Sequence, residues 1–338
     1  MGRLFALVTV AILGVMGFGQ WQEVRHFLRQ PIHIPKDNCY YIVPPGAGLP
    51  ATSQGLAEQG IIDHPYYFFA LGGLRGAMGQ IRAGEYRLQA SLTPDKLLDL
   101  LISGRVAQHS VTLVEGWTFA QVRETISLHD RLDHQLDGAS DAGVMAALDE
   151  EGQLPEGLFF PDTYHFPAGT SDVAFLQRAR RTLEHHLQRE WQNRAPHLPY
   201  LQPYDALIMA SIIEKESAST AERPAIAGVF VRRLLRNMPL QTDPTIIYGL
   251  GEAFTGNLRR VDLQTDGPYN TYTRRGLPPT PIALVSLGAL RAALHPAEGD
   301  SLYFVAKGDG THQFSATLEQ HNSAVRRYQL RKGTKPPG

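Results

Sequence analysis

Cysteine is nearly absent from this 338-residue chain, with Cys39 the one example. That excludes an intrachain disulfide and a zinc site built from a cysteine cluster. A surplus of either charge is missing as well. The 32 Lys and Arg are balanced by 33 Asp and Glu, for a formal net charge of −1, so the chain lacks the basic excess that binds nucleic acid by releasing counterions. The histidines in HPYYFF, HLPY and HPAEGD do not have metal-ligand spacing, and no phosphate-cradling glycine loop or nucleophile elbow is present. No metal or cofactor is implied. Long apolar runs are missing beyond the N-terminus, which argues against a multi-span membrane protein. Hydrophobic residues at 43% and charged residues at 19% fit a chain that folds around a core.

The N-terminus carries the one long apolar run. Leu4 to Gly19 reads LFALVTVAILGVMGFG without a charge; Arg3 precedes it, and Trp21, Arg25 and Arg29 follow. A spanning helix takes about 20 apolar residues and tolerates about 17, and Trp21 is an interface-type aromatic. Residues 1–21 are read as a single transmembrane anchor. A cleaved signal peptide, with its short n-region and no A-x-A site, and a buried core helix are the alternatives. Basic residues on both sides set the orientation weakly. Residues 22–37, polar and with two prolines, read as a stalk.

The body has an α+β pattern. Tyr40–Val43 reads as a strand closed by Pro44-Pro45-Gly46, Leu49–Gln59 and Pro65–Leu74 as helices, and Gly84–Leu88 as a second strand. Thr93 and Pro94 open a further helix as cap and first residue. This βααβ unit with a trailing helix, over residues 38–107, resembles LysM-like modules, which grip glycan chains. Residues 108–330 then read as a mixed α/β domain, beginning with a strand at Val111–Val114 and a helix at Thr118–Leu128. Within it, residues 130–155 form an acidic linker or short helical insertion. Leu158–Tyr164 is aromatic with turn residues inside, and is either a buried bend or a wall for stacking sugars. Val173–Trp191 is a long amphipathic helix, and residues 331–338 are a basic tail.

The most informative stretch is Pro203–Thr220, PYDALIMASIIEKESAST. Pro203 and Asp205 suit a helix start. At 100° per residue, Ile208, Met209, Ile212 and Ile213 cluster on one face and Glu216 falls among them, whereas Glu214 points away. A carboxyl on an apolar stripe gains proton affinity from desolvation, which is what a general acid requires near neutral pH. The competing explanation is a structural carboxylate paired with Arg223 or Arg232. Ile226–Arg236 reads as another helix, and Leu240–Gly249 as a proline-interrupted loop rich in donors and acceptors. Pro268–Tyr272 and Gly276–Pro281 add aromatics, an amide and a rigid proline segment. Such groups suit a sugar ligand, or simply a turn-rich surface.

In order along the chain, EKES (Glu214–Ser217), LQTDPTIIYG (Leu240–Gly249), YNTY (Tyr269–Tyr272), GLPPTPI (Gly276–Ile282) and YFVAKGDGTHQFSATLEQHN (Tyr303–Asn322) resemble the MltG/YceG family of endolytic murein transglycosylases. The likeness extends upstream through VEGWT (Val114–Thr118) and FFPDTY (Phe159–Tyr164) and covers nearly the whole chain; Thr280 and Pro281 sit where the family pattern varies. The resemblance implies one transmembrane helix, a LysM-like region and a catalytic domain outside the cytoplasmic membrane. It also implies that the second glutamate of EKE, Glu216, is catalytic. The protonated acid would cleave the bond between N-acetylmuramic acid and N-acetylglucosamine, and the resulting carboxylate would then take the proton of the muramyl C6 hydroxyl, which closes a 1,6-anhydro ring. Gln241, Asp243, Asn270, Tyr272 and Tyr248 are the candidates for holding sugar, with His321 a weaker one. Peptidoglycan strands are the implied partner, with peptidoglycan synthases as possible co-workers and no nucleic acid. The implied place is the bacterial inner membrane, with the catalytic domain on the periplasmic side. Two other classes stay open: a muramidase using Asp243 or Glu214 as a second carboxylate, and a non-catalytic wall-binding scaffold.

Overall fold

A computed structural model of the chain describes residues 19–34, 39–216 and 219–329. The expected anchor, apart from residues 19–21, and the basic tail lie outside the described residues. Among the described residues no helix is long and apolar enough to cross a membrane. Two compact units are formed. One takes the described residues up to His109 together with His165–Gly169, and the other takes Ser110–Tyr164 and the described residues from Thr170 onward. All the sheets described are two-stranded.

In the first unit β1 (Tyr40–Val43) pairs antiparallel with β2 (Gly84–Arg87), Tyr41 opposite Tyr86. Between them in sequence lie α1 (Leu49–Glu58) and α2 (Pro65–Leu74), and α3 (Pro94–Ser103) follows β2. Each helix has proline in its first turn, where a missing N–H breaks no intrahelical bond. Thr93 occupies the N-cap of α3 without the expected side-chain capping bond, and α3 stops at Gly104 in the left-handed conformation. Leu49, Leu56, Phe68, Tyr86, Leu97 and Leu98 are fully buried, each contributing about 1.5–3 kcal/mol of apolar transfer. The Tyr86 hydroxyl, caught in this core, donates to the carbonyls of Arg82 (2.7 Å) and Leu101 (3.2 Å). The described part of the segment expected as a stalk, residues 22–34, is part of this core. Residues 19–29 are helical, and Phe27 and Ile32 are buried in the cluster. The Ile32 N–H donates to the Leu92 carbonyl (2.7 Å) and the His33 N–H to that of Ile61 (3.0 Å). The apolar side chains of this otherwise polar run dock it, with Leu28 and Ile34 also packed against the cluster.

In the second unit β3 (Gln108–Thr112), whose last residues belong here, leads to α4 (Phe119–Ser127). The region 130–155 contains the short strand β4 (Leu132–Asp133) and α5 (Asp141–Ala147), a helical insertion whose N-cap Ser140 accepts from the Gly143 N–H and whose Val144 and Met145 are buried. The FFPDTY stretch is a buried bend: Phe159, Phe160 and Tyr164 lie inside, and the Tyr164 hydroxyl donates back to the Phe160 carbonyl (2.8 Å). It offers no open wall for a sugar. β5 (Thr163–Pro167), of which Thr163 and Tyr164 belong here, and β6 (Thr170–Ser171) precede α6 (Asp172–Gln192).

The centre of this unit is α7 (Pro203–Glu216), packed by α6, α8 (Arg223–Leu235), α9 (Asp243–Leu250) and, most extensively, α11 (Leu287–Leu294). Its start is held by Asp205, whose carboxylate accepts from the N–H groups of Leu201 (2.8 Å) and Gln202 (3.2 Å). Every residue from Ala206 to Ile213 is buried. The helix is therefore apolar all round, not striped, and the polar Ser211 is satisfied by donating to the Ile208 carbonyl and accepting the Ile282 N–H. The Leu240–Gly249 stretch, expected as a loop, contains α9: Pro244 falls in the first turn, where it starts a helix and does not interrupt one. After the short α10 (Arg260–Gln264) and α11, the antiparallel hairpin β7 (Tyr303–Ala306) and β8 (His312–Ser315) packs on α12 (Leu318–Tyr328).

Candidate active site

The end of α7, the start of α9, α8, the β7–β8 hairpin and α12 enclose a cavity of about 480 Å³. Glu216, Gln241, Asp243 and Tyr272, all expected at the site, line it together.

Two glutamates stand one turn-half apart at the end of α7, and their surroundings differ. The side chain of Glu214 is only 5% exposed and accepts from Arg223 Nη2 at 2.6 Å. Its other oxygen accepts the Ser286 N–H at 2.9 Å and the Ser286 hydroxyl, while Arg223 Nη1 donates to the same hydroxyl oxygen (2.7 Å). This buried, charge-balanced network joins α7, α8 and the N-cap of α11. The arginine pairing weighed for Glu216 belongs to Glu214. Glu216 is half-buried at the cavity wall and accepts from the Thr242 hydroxyl at 2.8 Å. Burial pushes its carboxyl above the usual range, and the nearby Asp243 charge adds to this, while the Thr242 hydrogen bond and His312 pull the other way.

Thr242 is held firmly. Its N–H donates to Thr271 Oγ1 (3.1 Å), and its carbonyl accepts from the Thr245 hydroxyl (2.8 Å). The neighbouring Gln241 adopts a left-handed backbone at φ 51°, uncommon outside glycine. Its N–H donates to the Thr271 carbonyl (3.1 Å), and its side-chain oxygen accepts from Arg233 (3.3 Å). Asp243 accepts the Tyr272 hydroxyl at 2.6 Å. Burial first, then this carboxylate, raises the tyrosine well above its ordinary value.

Sequence reasoning missed Thr242, and of the far wall it offered only His321, as a weaker candidate. Arg233 is buried and donates to the carbonyls of Leu302 (2.7 Å) and Leu240 (2.8 Å), with its guanidinium 5.1 Å from the Tyr303 ring. His312 pairs through Nδ1 with Glu222 (2.8 Å), which also accepts the His312 N–H (2.9 Å). Burial opposes ionisation of Glu222, but these bonds win and hold it below the usual carboxylate range. His321 lines the cavity, its ring stacked on Tyr303 at 5.2 Å. Nothing in the sequence links His312 to Glu222, or Arg233 to Leu302, because the partners lie far apart in the chain.

Two expected sugar-holding residues are elsewhere. Asn270 is buried, and its amide donates to the carbonyls of Asp262 (3.2 Å), Leu263 (3.2 Å) and Thr265 (2.7 Å). Its oxygen accepts the Tyr272 and Thr273 N–H groups, so the amide is used to shape the loop that carries Tyr272. The Tyr248 hydroxyl donates to Glu156 (3.1 Å) and lines a different cavity.

A family model described as YceG-like matches residues 41–327. The endolytic murein transglycosylase of Bacillus subtilis is 32% identical, over 87% of this chain and 85% of that protein. The endolytic murein transglycosylase of Streptococcus pneumoniae is 26% identical, over 96% of this chain and 65% of that longer protein. A yceG-like protein of Listeria monocytogenes, known from a 2.6 Å crystal structure, superimposes with a TM-score of 0.54 at 29% identity, covering 85% of this chain and 99% of that one.

Proposed function

The chain belongs to the YceG-like family, and we propose that it works as an endolytic murein transglycosylase with Glu216 as its single acid/base. The contrast between the two glutamates of α7 carries this reading. Glu214 is neutralised by Arg223, whereas Glu216 meets a hydroxyl, faces the cavity and is pushed towards its protonated form. A proton-loaded carboxyl near neutral pH suits general-acid catalysis.

In the forward step the Glu216 proton passes to the glycosidic oxygen between N-acetylmuramic acid and N-acetylglucosamine, as that bond breaks with oxocarbenium character. The carboxylate left behind is stabilised by the Thr242 hydroxyl. It takes the proton of the C6 hydroxyl of the same muramyl ring, whose oxygen then bonds to C1 and closes the 1,6-anhydro product. The nucleophile is already tethered, so one carboxylate suffices and no water is consumed. Gln241 and the Asp243–Tyr272 pair, on the same cavity wall, are the groups proposed to hold the sugars. Glu214 is a poor second carboxylate for a muramidase, being committed to Arg223 and Ser286; Asp243 is the one alternative that lines the cavity.

The same proposal extends to the rest of the chain. The run from Leu4 to Gly19 anchors the protein in the inner membrane, the first unit acts as a LysM-like grip on glycan, and the catalytic unit cuts nascent strands on the periplasmic side, close to the synthases that make them. Mass spectrometry of muropeptides released from purified sacculi tests the chemistry: 1,6-anhydro-muramyl ends are expected, and new reducing muramyl ends would overturn the lyase reading in favour of Asp243-assisted hydrolysis.

A further inference from the structure

The second unit holds another cavity, of about 880 Å³, walled by residues adjacent in sequence to those of the Glu216 cleft. Glu216 and Asp243 line the first cavity; Lys215 and Pro244 line the second. It is built from motif stretches that the acid/base chemistry leaves unused: Thr118 of VEGWT, Glu156 just upstream of FFPDTY, Tyr248, Tyr269 of YNTY and Thr280 of GLPPTPI.

Its lining is ill-suited to sugar rings. Phe119 is stacked against Phe159 at 5.2 Å, and Tyr248 and Tyr269 meet edge to face at 4.8 Å. Both tyrosine hydroxyls are engaged, one donating to Glu156 (3.1 Å) and the other bonded to Thr280 (2.8 Å). What remains is a buried carboxyl, Glu156, which accepts the Phe119 N–H (3.0 Å), an exposed carboxylate, Glu252, a second, Asp141, already paired with Arg123 (3.1 Å), an exposed ammonium, Lys215, which donates to the Gly116 carbonyl (3.2 Å), and apolar surface from Leu154 and Ile247. Burial pushes Glu156 up to about 7, against the hydrogen bonds from Phe119 and Tyr248; a cation beside it would supply a missing counter-charge. A ligand matching this lining carries an amine, a carboxylate and small apolar groups, which describes a short peptide.

We infer that this cavity receives the peptide stem of the muramyl residue bound in the Glu216 cleft, its free amine against Glu156 and Glu252 and a stem carboxylate against Lys215. The inference rests on the transglycosylase reading and adds that the enzyme selects strands bearing stems.

The test uses the full chain and three preparations of uncrosslinked glycan: intact, with stem amines N-acetylated, and stripped of stems by an amidase. An ammonium lost from a buried carboxylate is worth about tenfold or more. The kcat/KM for intact strands should therefore exceed that for either modified form by about tenfold, mainly through KM. Glu156→Gln and Glu252→Gln should each lower that ratio to within about threefold of one; the rim position Glu252 keeps the test decisive if Glu156→Gln does not fold. Wild type that cuts stripped or acetylated strands as fast as intact ones overturns the inference, as does a ratio unmoved in both variants. Failure to cut any strand, or products with reducing ends, would instead count against the transglycosylase reading.

Discussion

The Thr242 hydroxyl donates to Glu216 Oε2 across 2.8 Å. A hydroxyl in this position favours the charged carboxylate and so lowers the pKa that burial raises. Thr242→Val removes the donor and leaves the framework bonds of its backbone in place. With less to stabilise the carboxylate, Glu216 stays protonated to higher pH. The alkaline limb of the kcat/KM profile should move upward by about one unit, since a hydrogen bond to a charged group contributes about 1.5–3 kcal/mol and one unit is about 1.4 kcal/mol. A limb that stays in place or moves down would show that Thr242 does not set the acid.

Glu214 and Arg223 form a buried ion pair, their side chains 5% and 7% exposed. Removing one partner strands the other charge, at a cost of about 3–5 kcal/mol. Arg223→Met should therefore lower unfolding free energy in urea by about that amount, and the double variant Glu214→Gln, Arg223→Met should be less destabilised than the sum of the single changes. Additive losses would mean that the pair is not coupled.

Asn270→Ala separates framework from binding. The amide satisfies three carbonyls and two N–H groups, so its loss should cost about 1–3 kcal/mol of stability. KM for glycan should move much less than it does in Tyr272→Phe, which breaks the bond to Asp243 inside the cavity. A large KM change with unaltered stability would return Asn270 to the sugar site.

These residues also mark how far the sequence could be read. The motifs place Glu216, Gln241, Asp243 and Tyr272 in one cavity, whereas the helical period that also picks out Glu216 rests on an apolar stripe that α7 does not have. Asn270 and Tyr248 are of the same types in the same motifs, but local pattern cannot distinguish an amide that binds sugar from one that ties a loop. The Glu214–Arg223–Ser286 network was hidden by the wheel, which assigned α7 one apolar face when Ala206–Ile213 are buried on every side. Pro244 reads as an interruption because proline breaks a helix everywhere except at its start, which is where it stands in α9. The strand–helix–helix–strand order of the first unit was readable almost to the residue, since each element carries its own start and stop signals. Docking of Phe27 and Ile32 depends on tertiary contacts with no local signature.

Glu156 is another carboxyl perturbed by burial, up to about 7 from 4.5. A raised acid binds its proton more tightly folded than unfolded, so folding loses stability as pH rises from about 4.5 to about 7 and the penalty is complete above that. Glu156→Gln cannot ionise. Its stability relative to wild type should increase across that window, by up to about 3 kcal/mol, as followed by urea unfolding at several pH values. A difference independent of pH would place the Glu156 pKa near its ordinary value.

Digestion of purified sacculi by the wild type and by Glu216→Gln tests the central claim most directly. The glutamine can still accept from Thr242 but cannot donate and recover a proton. Anhydro-muropeptide release should fall by about 10²–10⁴-fold, with a melting temperature close to that of the wild type. A folded Glu216→Gln protein that releases them within about tenfold of the wild-type rate would contradict the assignment of the acid/base to Glu216.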